Sequence, residues 1–268
     1  MDNRPIGVFD SGVGGLTVVK QIMQTLPNEN LVYFGDTARV PYGSKSKETV
    51  AKFSSQIINF LISKNVKAIV IACNTVSSNC YEYLSEQFKG VHIIEVVTPG
   101  VDTCLATTKN KIVGLIGTKA TVDSGSYEKK LKAKDKDIVV YKKACPLFAP
   151  LAEEGWVNNE ITKLTAKEYL KELIAKDIDS LILGCTHYPL LKECISSVVG
   201  KNVSIIDPAI ITAKRLKAYL KESNILNTSS EKAYKHYFVS DDNKLFNDIA
   251  TMVLNENCQS IKIDIDKY

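Results

Sequence analysis

The sequence has seven cysteines in 268 residues but no C-x-x-C pair. An odd count without that spacing argues against both a disulfide framework and a zinc ribbon. No apolar stretch approaches the ~18 residues that a membrane span requires. The N-terminus, Met1-Asp2-Asn3-Arg4-Pro5, runs straight into an apolar strand without the basic and long apolar regions of a targeting segment. The expectation is a cytoplasmic protein with no membrane partner. Charge of one sign is also missing, since 34 basic residues face 30 acidic ones for a net +4. The densest basic stretch, 129–143, is interrupted by Asp135 and Asp137. It reads as a solvated face, so no direct nucleic-acid contact is expected. His92 and His236 lack a supporting constellation, and His187 has no second ligand pair nearby, so no metal is expected.

What is present is alternation. Short apolar runs trade with longer helix-period segments along nearly the whole chain, the pattern of parallel sheets with crossover helices. Strands are predicted at 6–9, 31–35, 68–72, 93–97, 112–117, 138–141, 181–184 and 203–206. Helices are predicted at 15–26, 47–64, 76–89, 99–109, 121–133, 158–176, 189–198 and 209–223. The tail offers a strand at 234–239, a helix at 242–255 and a strand at 261–265.

The chain also echoes itself. Ile6-Gly7-Val8-Phe9-Asp10-Ser11 resembles Val113-Gly114-Leu115-Ile116-Gly117-Thr118, and Val70-Ile71-Ala72-Cys73-Asn74-Thr75 resembles Ile182-Leu183-Gly184-Cys185-Thr186-His187. Cys73 follows Gly7 by 66 residues and Cys185 follows Gly114 by 71. Two matches in one order at similar spacing imply an α/β fold of two pseudo-symmetric parallel-sheet lobes. The expected division is residues 1–97 plus 208–268 for the lobe of Cys73, and 98–207 for the lobe of Cys185. Ligands of open parallel sheets bind beyond the carboxyl ends of the strands. The site is therefore expected in the cleft between the lobes, where Asp10, Ser11, Cys73, Asn74, Thr118, Cys185, Thr186 and His187 fall.

A cysteine that closes an apolar strand is ordinarily a small buried residue. Here both are followed by hydrogen-bonding residues at a strand-to-helix turn, where free N–H groups can hold a carboxylate. That setting is expected to lower a thiol's pKa from its ordinary ~8.5. Two matched bases suit inversion of a stereocentre, because one proton must leave one face and another must arrive on the opposite face. This combination points to a cofactor-independent amino-acid racemase. Cys185 with His187 would also suit a Cys–His hydrolase or acyltransferase, and a non-catalytic amino-acid-binding module remains a third reading.

Asp10-Ser11-Gly12-Val13-Gly14-Gly15-Leu16-Thr17 fails the dinucleotide fingerprint at Thr17, and no Walker-type Gly-Lys-Thr/Ser occurs. It reads as a Gly-rich turn presenting Asp10 and Ser11. Asp36-Thr37-Ala38-Arg39-Val40-Pro41-Tyr42-Gly43-Ser44 reads as a loop whose Tyr42 offers a phenol, Gly43 an approachable backbone and Ser44 a hydroxyl. Cys80, Cys104, Cys145, Cys194 and Cys258 read as packing, and Trp156 and the methionines as fillers of core gaps.

These motifs, with Gly184-Cys185-Thr186-His187-Tyr188-Pro189-Leu190, resemble the glutamate racemases of the aspartate/glutamate racemase family over nearly the whole chain. The resemblance implies interconversion of L- and D-glutamate without a cofactor, supplying the D-isomer for peptidoglycan. It implies that Cys73 takes the α-proton from D-glutamate and Cys185 from L-glutamate, with Asp10 and His187 assisting and Asp36 and Glu153 tuning the site. It implies substrate contacts from Asp10, Ser11, Pro41, Tyr42, Gly43, Ser44, Asn74, Thr75, Thr118, Thr121, Thr186 and His187. An aspartate racemase is the near alternative. Glutamate is the expected small-molecule partner, and a homodimer is left open.

Overall fold

Strands β1 (Ile6–Asp10), β2 (Leu31–Gly35), β3 (Ala68–Ile71) and β7 (Ser180–Gly184) are buried along their full length. Continuous burial is expected of parallel strands covered on both faces. The computed structural model describes residues 2–229, 231–241 and 243–268, and among them the strands form two sheets. One runs β10-β9-β2-β1-β3-β4, with β4 (His92–Glu95), β9 (Lys235–Val239) and β10 (Ser260–Lys262). The other runs β6-β5-β7-β8, with β5 (Ile112–Gly117), β6 (Val139–Ala144) and β8 (Ser204–Ile206). Every pairing is parallel.

The internal echo is structural. β2-β1-β3-β4 and β6-β5-β7-β8 follow the same relative order. Gly7 pairs with Ile69, and Gly114 with Leu181. Each partner lies four residues before a cysteine, so Cys73 and Cys185 occupy equivalent strand ends. The C-terminal segment extends the first sheet beyond β2, where β9 pairs residue for residue from Leu31–Lys235 to Gly35–Val239.

Helices cover both faces of each sheet. Apolar side chains of α1 (Leu16–Thr25), α10 (Pro208–Glu222) and α11 (Asn243–Leu254) pack on one face of the first sheet. Those of α2 (Lys47–Ser63) and α3 (Asn74–Gln87) pack on the other. In the second sheet α7 (Phe148–Glu153), α8 (Glu160–Ile174) and α9 (Lys192–Val199) cover one face, and α4 (Val97–Thr107) with α6 (Ser126–Lys134) the other. Local chemistry starts several of these helices. Ser46, Thr118 and Asn159 each accept the N–H three residues on, the usual N-cap bond.

Some boundaries differ from expectation for identifiable reasons. The helix expected at 121–133 is two helices, α5 (Lys119–Ser124) and α6, because Gly125 takes φ +66° and ends the first. β4 stops at Glu95 rather than 97, because the Glu95 carboxylate accepts the N–H groups of Val97 and Thr98 and so starts α4 early. A short 3₁₀ turn (Tyr188–Leu191) precedes α9. The helix expected at 242–255 is α11, and residue 242 lies outside the described residues. Trp156 and Met252 do not fill core gaps: they are 43% and 53% exposed. Cys80, Cys104, Cys145, Cys194 and Cys258 are buried and unpaired, as packing residues should be. No helix among the described residues is long and apolar enough to cross a membrane.

Candidate active site

A cavity of about 390 Å³ lies where the carboxyl ends of β1, β3, β5 and β7 converge, within the range of small-molecule sites. Cys73 and Cys185 both line it, each arriving just past the end of an inner strand of its own sheet, β3 and β7. Ser11, Pro41, Tyr42, Gly43, Ser44, Asn74, Thr75, Thr118, Glu153, Thr186 and His187 line it as well. Asp10, Asp36 and Thr121 do not; they stand one layer behind.

Cys73 is the N-cap of α3 and is buried. Its thiol lies 3.7 Å from Ser11 Oγ, the acceptor of its proton. Burial pushes this thiol far above its ordinary pKa, and the nearby Asp10 carboxylate adds to the rise. The Val76 N–H and Ser11 pull the other way and are outweighed. The expected lowering at Cys73 is therefore corrected. A helix N-terminus favours a thiolate, but loss of water costs the anion more here.

Cys185 has a different neighbour. Its Sγ lies 3.7 Å from His187 Nδ1, while His187 Nε2 donates to Glu153 Oε1 at 2.9 Å. Burial by itself would lower the imidazole's pKa, but the bonds to Cys185 and Glu153 outweigh it and hold the value well above the ordinary histidine range. An imidazolium at His187 is the counter-charge that a Cys185 thiolate needs. Glu153 comes from α7, a helix without a local signal in the sequence.

The loop after β2 is held from beneath. Asp36 is fully buried. Its Oδ2 accepts Arg39 Nε at 2.7 Å and the Tyr42 hydroxyl, and its Oδ1 accepts Ser240 Oγ at 2.7 Å. Burial and the Asp36 charge raise the Tyr42 phenol well above its usual value, so it remains a donor. The phenol expected to meet the substrate is thus engaged behind the cavity. Tyr42 lines the cavity beside Gly43 and Ser44.

Polar side chains join the two lobes around the cavity. Thr75 and Thr118 hydroxyls lie 3.0 Å apart, Tyr127 donates to Asn74 Oδ1 at 2.7 Å, and Thr17 donates to the Thr186 carbonyl at 3.1 Å. Asp10 accepts the N–H groups of Gly12 (3.3 Å) and Gly15 (2.9 Å) through Oδ2, and the Thr186 hydroxyl at 3.3 Å through Oδ1. Asp10 therefore shapes the Gly-rich turn and ties it to the second lobe. A Cβ on Gly14 would fall 2.7 Å from His187 Nδ1, which is why a side chain is absent there. Thr121 accepts from the Thr118 hydroxyl at 3.0 Å and keeps it in place.

Val40, Lys119, Pro146, Ala149 and Pro150 also line the cavity, and none was singled out in the sequence. Lys119 is adjacent to Thr118, so the capping pattern could have flagged it. The three from the β6–α7 region carry no chemical signal. The chamber combines two thiols from equivalent positions, one imidazole–carboxylate pair, and neutral donors able to hold a small zwitterion.

Comparison with known proteins finds relatives along the whole chain. The model of a family described as Asp/Glu/hydantoin racemase matches residues 6–216. The chain is 48% identical to a glutamate racemase of Thermoanaerobacter pseudethanolicus, with both chains covered in full. It is 45% identical to one from Neisseria meningitidis serogroup A, covering 97% of this chain and 96% of that one. Among solved structures, glutamate racemase from Francisella tularensis in complex with D-glutamate superposes with a TM-score of 0.93 at 43% identity, both chains covered in full.

Proposed function

The chain belongs to the Asp/Glu/hydantoin racemase family and is a racemase, and we propose that it interconverts L- and D-glutamate by two-base proton transfer. The observation that carries this reading is one cavity lined by Cys73 and Cys185, each from the equivalent strand end of its own sheet. In the L-to-D direction the Cys185 thiolate takes the α-proton, and the electron pair of the broken C–H bond stays on the substrate. The Cys73 thiol then gives its proton to the opposite face. The enzyme is left with a Cys185 thiol and a Cys73 thiolate, the form that runs the reverse reaction.

His187, held by Glu153, stabilises the thiolate at Cys185. Among the described residues no such cation is bonded to Cys73, and its thiolate is supported by Ser11 and the Val76 N–H in the first turn of α3. The N–H groups of that turn and the threonine hydroxyls would hold the substrate carboxylate and keep the α-carbon between the sulfurs. Asp10 and Asp36 act on substrate-facing groups from behind. We read the chain as two domains, 1–97 with 208–268 and 98–207. The separate apolar clusters of the two sheets support this division, α4 packing with the second and α10 with the first. Buried unpaired thiols fit a reducing compartment, and we place the enzyme in the cytoplasm, supplying D-glutamate for peptidoglycan.

A chiral assay on L-glutamate and L-aspartate, without pyridoxal phosphate, tests the substrate. Racemisation of glutamate is expected, and turnover of aspartate alone would contradict the proposal. The Cys185–His187 pair could serve acyl transfer, but that use leaves Cys73 idle. Cys73→Ala abolishes racemisation on the two-base reading and spares activity on the other.

A further inference from the structure

The turn after β9 reaches the active-site loop from the far end of the chain. β9 and β2 finish together, Gly35 opposite Val239, which places Ser240 beside Asp36. Ser240 Oγ donates to Asp36 Oδ1 at 2.7 Å and accepts Ala38 N–H at 2.9 Å. The next residue's N–H donates to Thr37 Oγ1 at 2.9 Å. Asp36 is thereby divided between two tasks. Oδ1 faces the C-terminal turn, and Oδ2 receives the Tyr42 hydroxyl and Arg39. A buried carboxylate that loses one of its donors must find another or turn. Rotation of this carboxylate would release the hydroxyl of Tyr42, a residue that lines the cavity.

We propose that Ser240 is a positioning residue for substrate binding, acting through Asp36 on Tyr42 and hence on the loop segment 41–44. The C-terminal strand then does more than widen the first sheet: it sets the wall of a cavity from just under two hundred residues away in sequence. Ser240 itself does not line the cavity, so its effect there is indirect. This inference rests on the glutamate racemase reading, because its readout is the KM for glutamate.

The experiment is steady-state racemisation of glutamate by Ser240→Ala, Tyr42→Phe, the double variant, Ser240→Thr and Ser260→Ala. Ser260 serves as the control, since it anchors β10 to α11 through Asn247 at 2.8 Å and is remote from the loop. Ser240→Ala is expected to raise KM about tenfold, the size of one lost hydrogen bond to a charged group, with kcat within about twofold. Ser240→Thr should restore KM, and the double variant should be no worse than Tyr42→Phe alone. Ser260→Ala should lower thermal stability and leave KM unchanged. An unchanged KM in Ser240→Ala, additive effects in the double variant, or an equal rise in Ser260→Ala would each overturn the proposal. A wild-type enzyme inactive on glutamate would instead overturn the substrate assignment.

Discussion

At the scale of single residues, the two thiols share a position but not an environment. Burial and Asp10 oppose ionisation of the Cys73 thiol in the free enzyme. Its carbamidomethylation by iodoacetamide, followed by mass spectrometry, should be slow at neutral pH and accelerate only above the ordinary thiol range of ~8.5. A midpoint at or below that range would contradict this account. The pKa of His187 is raised because its bonds to Cys185 and Glu153 outweigh burial. Its ring should titrate by NMR on the alkaline side of the ordinary ~6.5, and Glu153→Gln should move it down. With its pKa raised on folding, this histidine adds stability that is full below ~6.5 and is lost as pH rises through the folded value.

Sequence reading reached these residues unevenly. Cys73, Cys185, Asn74, Thr186 and His187 were legible because each is adjacent to a strand end, where chemistry and local pattern coincide. Ser240 and Tyr127 were not, because their roles come from tertiary neighbours 204 and 53 residues away.

Among elements, the strands were the most readable, since buried parallel strands leave short unbroken apolar runs. The helices were less so. Gly125 inside a helical pattern gives no sign of whether it will be tolerated or will break the helix. Its left-handed conformation fixes the outcome, and Gly125→Ala should cost about 1 kcal/mol. That corresponds to a thermal midpoint lower by about 2–4 °C in a chain of this size. α7 has no sequence signal because its six residues, Pro150 among them, carry too little periodicity. The Gly-rich turn before α1 presses against the second lobe, and Gly14→Ala would drive its new methyl into Thr186 and His187. A displacement of about 1 Å there should lower kcat/KM about 100-fold. Steady-state kinetics with an unfolding control would check this, and near-normal turnover would show that the turn gives way without disturbing the site.

For the whole molecule, duplication explains both the symmetry and the departure from it. The equivalent order and register of the two sheets bring two cysteines to one chamber, and only the first sheet gained β9 and β10. That addition is secured at the opposite end of the strands by a buried ion pair. Lys67 Nζ lies 2.6 Å from Glu29 Oε2 and donates to the carbonyls of Asp2 and Ile225, both at 2.7 Å. Glu29 Oε1 also accepts the Asn227 N–H at 2.8 Å. Lys67→Met leaves the Glu29 charge unmatched and should cost about 3–5 kcal/mol in denaturant unfolding, while kcat of the folded fraction stays close to wild type. The central claim is that the lobes contribute one base each. The most direct measurement is the α-hydrogen content of both enantiomers after early turnover of L-glutamate in heavy water. Two bases predict D-glutamate that carries solvent deuterium at the α-carbon, while the remaining L-glutamate keeps its protium. D-glutamate formed with the substrate's own α-proton would mean that a single base serves both faces, and would contradict the account.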